Sequence, residues 1–296
     1  MNAKLMPTLL AFLSASALHA GLDTAKIESL SGLKGKLNEA ADVFKVSVPR
    51  TDMKVKVDGW EMPPFMGLTS WAAFTQGKGA DAMVMGDLVL MQNEVNPVMS
   101  TALDNGLTVT ALHNHFFFDD PKVYFMHIGG EGSVETLAKG VRAALDAVKQ
   151  VQDTTKIPSS SFGGEKLPAK SSVSADALEQ IFRAKGETKD GMYKVVFGRK
   201  TKMACDCEVG KDMGVNTWAA FAGSDDNAVV DGDFVALVDE LQPVLASLRK
   251  SGINIVAIHH HMVGETPRYI FLHYWGRGTA TGLATNIKKA LELTMK

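Results

Sequence analysis

Clustered positive charge and long apolar runs are both scarce in this chain. Its 31 Lys and Arg residues are balanced by 33 Asp and Glu residues, and the formal net charge is -2. No long run of Lys or Arg is present. Nucleic acids and anionic membrane surfaces are bound through clustered positive charge. The composition therefore predicts neither of them as a partner.

Beyond the first twenty residues, the sequence contains no segment that would span a membrane. A spanning helix needs about 18 or more consecutive apolar residues. Residues 1–20 have the pattern of a secretory signal peptide, with Lys4 before an apolar stretch and Ala15-Ser16-Ala17 as a cleavage option. No Cys lies near that site, so no lipid anchor is expected. We expect a periplasmic or extracellular protein without membrane insertion after cleavage.

Cysteine is rare as well, with only Cys205 and Cys207 in 296 residues. An exported protein favours a disulfide, yet neighbours two positions apart close a small ring with poor geometry. A strained disulfide, a pair of ligands for a soft metal and two inert thiols all remain open. The first half has no Cys at the matching position, so the pair is not part of any chemistry that the halves share.

Histidine is unevenly distributed, and seven of the eight histidines fall in two clusters. His113, His115 and His127 form one set, and His259, His261 and His273 repeat it with an offset of 146 residues at each position. Three imidazoles that converge on one point are a typical ligand set for a divalent ion. The pattern therefore predicts a metal site in each half, with zinc as the expected ion.

The rest of the sequence supports a duplication. Trp-Ala-Ala-Phe occurs at residues 71–74 and 218–221, Gly86-Asp87 matches Gly232-Asp233, and Gly106 matches Gly252. The repeat is far longer than a solenoid unit, so it indicates two homologous domains. We assign residues 21–150 and 174–296 to these domains and the Ser-, Thr- and Pro-containing residues 151–173 to a linker.

The pattern of apolar residues predicts an α+β fold in each domain. Strands are expected at residues 82–91 and 228–237, after an opening helix at residues 25–37 or 174–185. Apolar stripes predict two further helices per half, the first of which ends at Gly106 or Gly252 in the left-handed conformation. Each domain should therefore hold a mixed or antiparallel sheet with a histidine-bearing hairpin, packed by helices.

Strand geometry explains how the histidines could meet. Side chains alternate along a strand, which predicts that Val109, Ala111, His113 and His115 share one face. A hairpin with a loop of about five residues near Asp119 would pair His113 with His127. A single histidine is more often a hydrogen-bonded core or surface group, but three on one face in both halves favour a shared ligand.

Charged residues near the hairpins are candidates for catalysis. Glu265, equivalent to Asp119, and Glu240, equivalent to Glu94, could serve as general acid or base beside a metal ion. Glu240 could equally be a first-turn charge favoured by the helix dipole. Arg268, equivalent to Lys122, is a candidate for binding an anionic substrate, against the alternative of a solvated rim charge.

Several of these motifs resemble the bacterial LppY/LpqO-type family, a duplicated domain of unknown function. The resemblance rests on Ala111-Leu112-His113-Asn114-His115, on residues 257–262 with Glu265, Pro267-Arg268 and residues 271–276, and on the two Gly-Asp strands. It implies an exported protein and no particular activity. Because the first half has Ile128-Gly129 where the second keeps Tyr274-Trp275, the second site is the better candidate. The His-x-His hairpin is also similar to the zinc site of acetolactate decarboxylase.

Two functional hypotheses follow from the sequence. The first is a metal-dependent enzyme that acts on a small carbonyl or ester-type substrate, with Glu265 or Glu240 transferring protons. The second is a non-catalytic protein that binds metal or a small ligand. A purely structural use of the histidine face is the third alternative.

Overall fold

The computed structural model describes residues 21–155 and 160–294. In these residues the chain has a mixed α+β fold, with a large antiparallel sheet and six α-helices. The predicted signal peptide, residues 1–20, lies outside the described residues. None of the described helices is long and apolar enough to cross a membrane.

The first half supplies strands β1 to β9 and helices α1 to α3. The strands are β1 (Gly35–Asn38), β2 (Val43–Pro49), β3 (Lys56–Val57), β4 (Trp60–Glu61), β5 (Thr69–Gln76), β6 (Ala82–Met91), β7 (Thr108–His113), β8 (Asp119–Asp120) and β9 (Val123–Gly132). The helices are α1 (Thr24–Ser31), α2 (Val95–Asp104) and α3 (Val134–Thr154), with a 3₁₀ helix at Pro64–Met66.

The second half repeats this order. Its strands are β10 (Glu187–Lys189), β11 (Met192–Gly198), β12 (Thr201–Lys202), β13 (Glu208–Val209), β14 (Asn216–Gly223), β15 (Ala228–Leu237), β16 (Asn254–His259) and β17 (Tyr269–Gly278). Its helices are α4 (Ala175–Phe182), α5 (Leu241–Lys250) and α6 (Ala280–Leu291), with 3₁₀ helices at Lys211–Met213 and Glu292–Thr294.

The two halves join edge to edge in a single sheet. In the described residues this sheet has twelve strands in the order β1-β2-β5-β6-β9-β7-β16-β17-β15-β14-β11-β10. The central pair, β7 and β16, is antiparallel and aligns Leu112 with Ile258. The halves are therefore related by an approximate two-fold axis that passes between these strands. The sequence indicated the duplication but not the shared sheet.

The helices cover one face of the sheet and bury a core that runs through both halves. The apolar stripes predicted for the helices lie in it, including Val98, Met99, Val141, Leu245 and Leu283. The opposite face carries two smaller apolar clusters, one in each half. The first contains Val55, Met62, Leu68, Val89, Val123 and Phe125, and the second contains Val209, Val215, Val235, Tyr269 and Phe271.

The predicted bounds hold for the long strands β6 and β15 and fail at the ends of some helices. Strands β6 and β15 span the predicted residues 82–91 and 228–237. Gly106 follows α2 with φ +79°, as expected for a helix terminator. The opening helix is shorter than predicted, because Gly32 ends α1 in the left-handed conformation and the chain then enters β1. Helix α3 continues to Thr154, into the predicted linker.

The predicted register of the histidine hairpin is wrong by two residues. His113 lies opposite Phe125, and Ala111 lies opposite His127. The loop is also longer than expected, because residues 114–122 contain β8, which pairs with β3 instead of closing a tight turn. The second hairpin has the same register, with Ala257 opposite His273.

A β-bulge accounts for a second correction. The register of β7 against β9 shifts between Val109 and Ala111, and that of β16 against β17 shifts between Ile255 and Ala257. The extra residue moves Val109 to the helix-covered face, where it is buried in the core. Ala111 and His113 therefore lie on the opposite face, without Val109.

Cys205 and Cys207 form a disulfide at the turn between β12 and β13. Of the three alternatives for this pair, the structure therefore favours the disulfide.

Candidate metal centre

The histidines of the second half gather on the sheet face that the helices leave uncovered. Asp233 on β15 lies opposite His273 on β17, and His273 lies opposite Ala257 on β16. His259 comes two residues after Ala257, so it lies on the same face. His261 follows the end of β16 and stacks on Phe271 with 3.6 Å between the ring centroids. The sheet register and the second apolar cluster thus position all four side chains.

The distances among these groups are short. Asp233 Oδ2 is 3.1 Å from His261 Nε2, and Asp233 Oδ1 is 4.0 Å from His273 Nδ1. The ring centroid of His259 is 5.1 Å from that of His261 and 4.7 Å from that of His273. Ligand atoms of Asp233, His259 and His261 all lie within 4.8 Å of one another. This group has the composition and the spacing of a metal-binding site.

The hydrogen bond at the far side of His261 determines what faces Asp233. His261 Nδ1 is 3.1 Å from the carbonyl oxygen of Gly214. A carbonyl accepts, so Nδ1 carries the proton, and the Nε2 of a neutral ring then presents a lone pair to the carboxylate. Two acceptors face each other at 3.1 Å, a contact that requires a proton or a cation between them. A ligating histidine is commonly held by such a carbonyl on its second nitrogen.

Two further acceptors in the cluster have no hydrogen-bond donor. Asp233 Oδ1 and His259 Nε2 are buried and make no hydrogen bond within the described residues. Buried polar atoms in proteins are nearly always paired, so each unpaired one calls for an explanation. A cation among Asp233, His259 and His261 would satisfy both atoms at once.

Burial shifts the protonation of the two most enclosed groups in opposite directions. Desolvation raises the pKa of Asp233, although the neighbouring His273, His261 and His259 partly lower it. Desolvation also lowers the pKa of His259, which Asp233 partly opposes. Both shifts arise because the charged form of each group is costly to bury. A bound cation would reverse this effect for Asp233, because it stabilises the charged carboxylate. Neutral His259 is the form that coordinates metal.

The donor set fits a zinc-type ion. Imidazole nitrogen combined with carboxylate oxygen is a common zinc ligand set, whereas magnesium and calcium prefer oxygen alone. His261 and His273 keep 29% and 44% of their side chains exposed. The cluster is therefore open to solvent on the side of these two rings.

The first half repeats the elements but holds them less closely. Asp87 lies opposite His127, and its buried Oδ1 makes no hydrogen bond with the described residues. The ring centroid of His113 is 5.1 Å from that of His115 and 5.2 Å from that of His127. His115 stacks on Phe125, and burial lowers its pKa. In the described first half, no three such residues bring their ligand atoms within 4.8 Å of one another, as Asp233, His259 and His261 do.

The structure places the predicted proton-transfer residues in other contacts. Glu240 pairs with Arg199 and accepts the backbone N–H of Leu237 at 2.7 Å. Glu265 is buried and accepts the N–H of Tyr269 at 3.2 Å, as Asp119 accepts that of Val123 in the first half. The bonds of Glu240 stabilise the start of α5, and the bond of Glu265 stabilises the loop before β17. A catalytic role for either glutamate stays a prediction.

Arg268 is exposed and donates from Nη2 to His260 Nε2 at 3.1 Å. His260 is itself exposed, and its place between His259 and His261 turns it away from the cluster. Substrate binding by Arg268 stays a prediction.

Sequence reasoning missed the two aspartates. Asp87 and Asp233 each stand in the middle of a largely apolar strand, immediately after a glycine and at equivalent positions of the repeat. A charged residue in a buried strand is rarely neutral to function or stability. That signal was present in the sequence, and only the register across β15 and β17 reveals that Asp233 meets the histidines.

Comparison with known proteins supports the duplication. The family described as "Domain of Unknown Function (DUF1259)" matches residues 25–147 and again residues 176–293. No curated protein matches the chain. Among solved structures, the chain is similar to a trimeric bacterial microcompartment shell protein PduB, with 10% sequence identity and a TM-score of 0.23, over 88% of this chain and 90% of that chain. This last similarity carries no argument about function.

Proposed function

For this chain, which belongs to the DUF1259 family in both of its halves, we propose a function based on divalent metal binding in the second half. Asp233, His259 and His261 would hold the ion, with His273 beside them as a further ligand. Zinc is the ion that the donor set favours. We also propose that the protein works outside the cytoplasm, on the strength of the signal-like residues 1–20.

The proposal rests on hydrogen-bond acceptor atoms of Asp233, His259 and His261 that lie close together, two of which have no donor among the described residues. Asp233 Oδ2 and His261 Nε2 are 3.1 Å apart. The proton of this ring lies on Nδ1, which donates it to the Gly214 carbonyl. Asp233 Oδ1 and His259 Nε2 are buried, and no described residue forms a hydrogen bond with either. A purely structural cluster would be expected to include donors for these atoms. A single divalent cation supplies what all of them lack.

The exposed side of the cluster favours a catalytic use of the ion. A bound zinc ion acts as a Lewis acid that polarises a carbonyl oxygen. The exposed edges of His261 and His273 would leave that side accessible to a small carbonyl or ester-type substrate. The buried face of the sheet and Phe271 would keep the ligand rings fixed.

Residues around the cluster would assist substrate binding. Arg268 is exposed, and its guanidinium would supply the positive charge that suits an anionic substrate. Glu265 would transfer protons only after releasing the N–H of Tyr269, and Glu240 only after leaving Arg199. We therefore rank Glu265 and Glu240 below Asp233 as candidates for a functional role.

Cobalt(II) absorption tests the metal site. The chain, produced without a polyhistidine tag and stripped with a chelator, is titrated with Co²⁺ and then with Zn²⁺. We expect visible bands of a low-symmetry nitrogen and oxygen site, which Zn²⁺ displaces. The bands should disappear in Asp233→Ala and in the double variant His259→Ala, His261→Ala.

His260→Ala is the matched control, because it removes a histidine from the same segment without touching the cluster. It should keep the cobalt bands. Loss of the bands in His260→Ala, or their persistence in Asp233→Ala, would contradict the assignment of the ligands. The non-catalytic alternative, a metal-binding protein, predicts the same bands but no turnover of activated esters by the zinc-loaded chain.

A further inference from the structure

A separate cavity lies between helices α2 and α5, away from the histidine cluster. Its volume is about 390 Å³, and its walls include Gln92, Asn93, Pro97, Phe162, Arg249 and Asn254. Small-molecule sites typically fall between about 300 and 1,000 Å³. The cavity mixes one cation, several amides and an aromatic ring, which is the composition of a site for a small polar ligand.

Arg249 is the charged residue among the described walls of this cavity, and no carboxylate of the described residues pairs with it. Its Nε donates to Ser100 Oγ at 3.0 Å, and its Nη1 donates to Ile253 O at 2.8 Å and Asn254 Oδ1 at 3.0 Å. Nη2 has no partner in the described residues. Burial lowers the pKa of Arg249 to about 10, so the guanidinium is still charged at neutral pH. A largely buried cation normally has an anionic partner.

Asn93, a second wall residue, has one side-chain atom without a hydrogen-bond partner among the described residues. Asn93 Oδ1 is buried and makes no hydrogen bond in the described part of the chain. Leaving such an acceptor unpaired destabilises the fold, so a ligand that donates to it would be favoured. The cavity thus has an unused donor on Arg249 and an unused acceptor on Asn93.

Comparison of the two halves shows that Arg249, Asn93 and Asn254 occur together on one side of the two-fold axis and have no counterpart on the other. The positions equivalent to Arg249, Asn93 and Asn254 are Leu103, Asp239 and Thr108. The second copy of the arrangement therefore has neither the cation nor the neutral amide. Packing of the repeat does not require Arg249, since Leu103 fills the same helix position in the other half.

We propose that the cavity binds a small hydroxy acid with a single carboxylate. Arg249 Nη2 donates to the carboxylate, and a rotation of the Asn93 amide turns Oδ1 toward the hydroxyl group, which donates to it. A single carboxylate matches the one cation among the described wall residues, whereas a phosphate dianion would exceed it. Phe162 and Pro97 provide apolar contact for the remainder of the ligand.

Calorimetric titration of the chelator-stripped chain tests this site with lactate and mandelate as probes. Lactamide and mandelamide are the matched neutral analogues, and inorganic phosphate is the competing anion. We expect at least one of the two hydroxy acids to bind, and its amide to bind about 10-fold more weakly or worse, because a charge-assisted hydrogen bond is lost. Absence of binding by both acids, equal binding of acid and amide, or tighter binding of phosphate would overturn the proposal.

Variants locate the binding in the cavity. Arg249→Gln should weaken acid binding by about 10-fold or more, while Lys250→Gln, the exposed neighbour on α5, should not. Asn93→Asp keeps the bonds that Arg249 makes to the fold and places a negative charge in the wall, so it should also abolish binding. Unchanged affinity in Asn93→Asp would contradict the site even if Arg249→Gln failed to fold. The double variant His259→Ala, His261→Ala should bind the acids normally, which separates this site from the metal centre.

Discussion

Asn96 holds the backbone of Ile255 with both ends of its side-chain amide. Its Oδ1 accepts the Ile255 N–H at 2.8 Å, and its Nδ2 donates to the Ile255 carbonyl at 3.1 Å. Gln242, the equivalent residue, makes the same two bonds to Val109 at 2.9 and 2.8 Å. Each half thus binds the bulged strand of the other, where the bulge leaves backbone groups without sheet partners.

These reciprocal bonds should contribute measurably to stability. Asn96→Ala leaves a buried N–H and a buried carbonyl unpaired, at about 1–3 kcal/mol for each group. We expect the free energy of unfolding in urea to fall by about 2 kcal/mol or more. Asn105→Ala, which removes an exposed amide at the end of the same helix, should change it by about 0.5 kcal/mol at most. Equal effects of the two variants would show that the bonds to Ile255 are not important.

The two equivalent Arg–Glu pairs of the repeat, Arg50–Glu94 and Arg199–Glu240, should differ in strength. Arg50 and Glu94 are 4% and 0% exposed, and Glu94 also accepts from Gln152 and from the Met91 N–H. Arg199 and Glu240 are 21% and 12% exposed. Removing one partner of a buried pair costs about 3–5 kcal/mol. Because Arg50 keeps its ion pair with Asp52 at 2.9 Å, Glu94→Ala should destabilise the chain by about 3 kcal/mol, the lower end of that range.

Glu240→Ala should cost less, because solvent reaches Arg199 and can compensate the remaining charge. Chemical denaturation of both variants measures the difference. If Glu240→Ala proved the more destabilising, burial would not be the factor that sets the strength of these pairs.

Asp233 should lower the stability of the metal-free chain. Burial raises the pKa of Asp233 in the folded chain above its value in the unfolded chain. Between these two pKa values, the folded chain therefore binds more protons than the unfolded chain. Stability falls across that window, and the loss persists at neutral pH. Asp233→Asn should raise the Tm of the metal-free chain at neutral pH. The gain should shrink as the pH falls toward the ordinary range for a carboxyl group.

The same variant should lose the stabilisation by zinc, because the amide is a poor ligand for this ion. Differential scanning calorimetry with and without Zn²⁺ measures both effects. A lower Tm for the metal-free Asp233→Asn chain would mean that the carboxylate stabilises the fold and is not held in place for a ligand.

The proton of His261 should lie on Nδ1. The Gly214 carbonyl at 3.1 Å accepts it, which leaves Nε2 free to bind the ion. Long-range nitrogen–proton NMR correlation of the zinc-loaded chain should report a protonated Nδ1 and an unprotonated, metal-shifted Nε2. The opposite tautomer would place the ion away from Asp233.

The sequence predicted the periodic and duplicated features of the fold well. The apolar stripes of the helices and the long strands β6 and β15 follow from local patterns, and the repeat pointed to His259, His261 and His273. Side-chain alternation alone could not reveal the bulge after Val109 or the pairing of β8 with β3, because both depend on contacts between distant segments. The predicted hairpin was therefore displaced by two residues.

The role of Asp233 was out of reach for a related reason. The meeting of β15 with β17 is a long-range contact, and the sequence offered only a charged residue within an apolar strand. Glu94 and Glu240 stood out as a duplicated pair, and the structure explains their duplication by the ion pairs with Arg50 and Arg199. Duplication alone thus does not separate ligands from structural residues.

Elemental analysis of the purified chain tests the central claim most directly. Tag-free protein is stripped with a chelator, reloaded with Zn²⁺ and dialysed before the zinc content is measured. The second-half site should retain about one zinc ion per chain, and the double variant His259→Ala, His261→Ala should lose it while His113→Ala, His115→Ala keeps it. Zinc at trace level in the unmodified chain, or undiminished zinc in the variant without His259 and His261, would contradict the account.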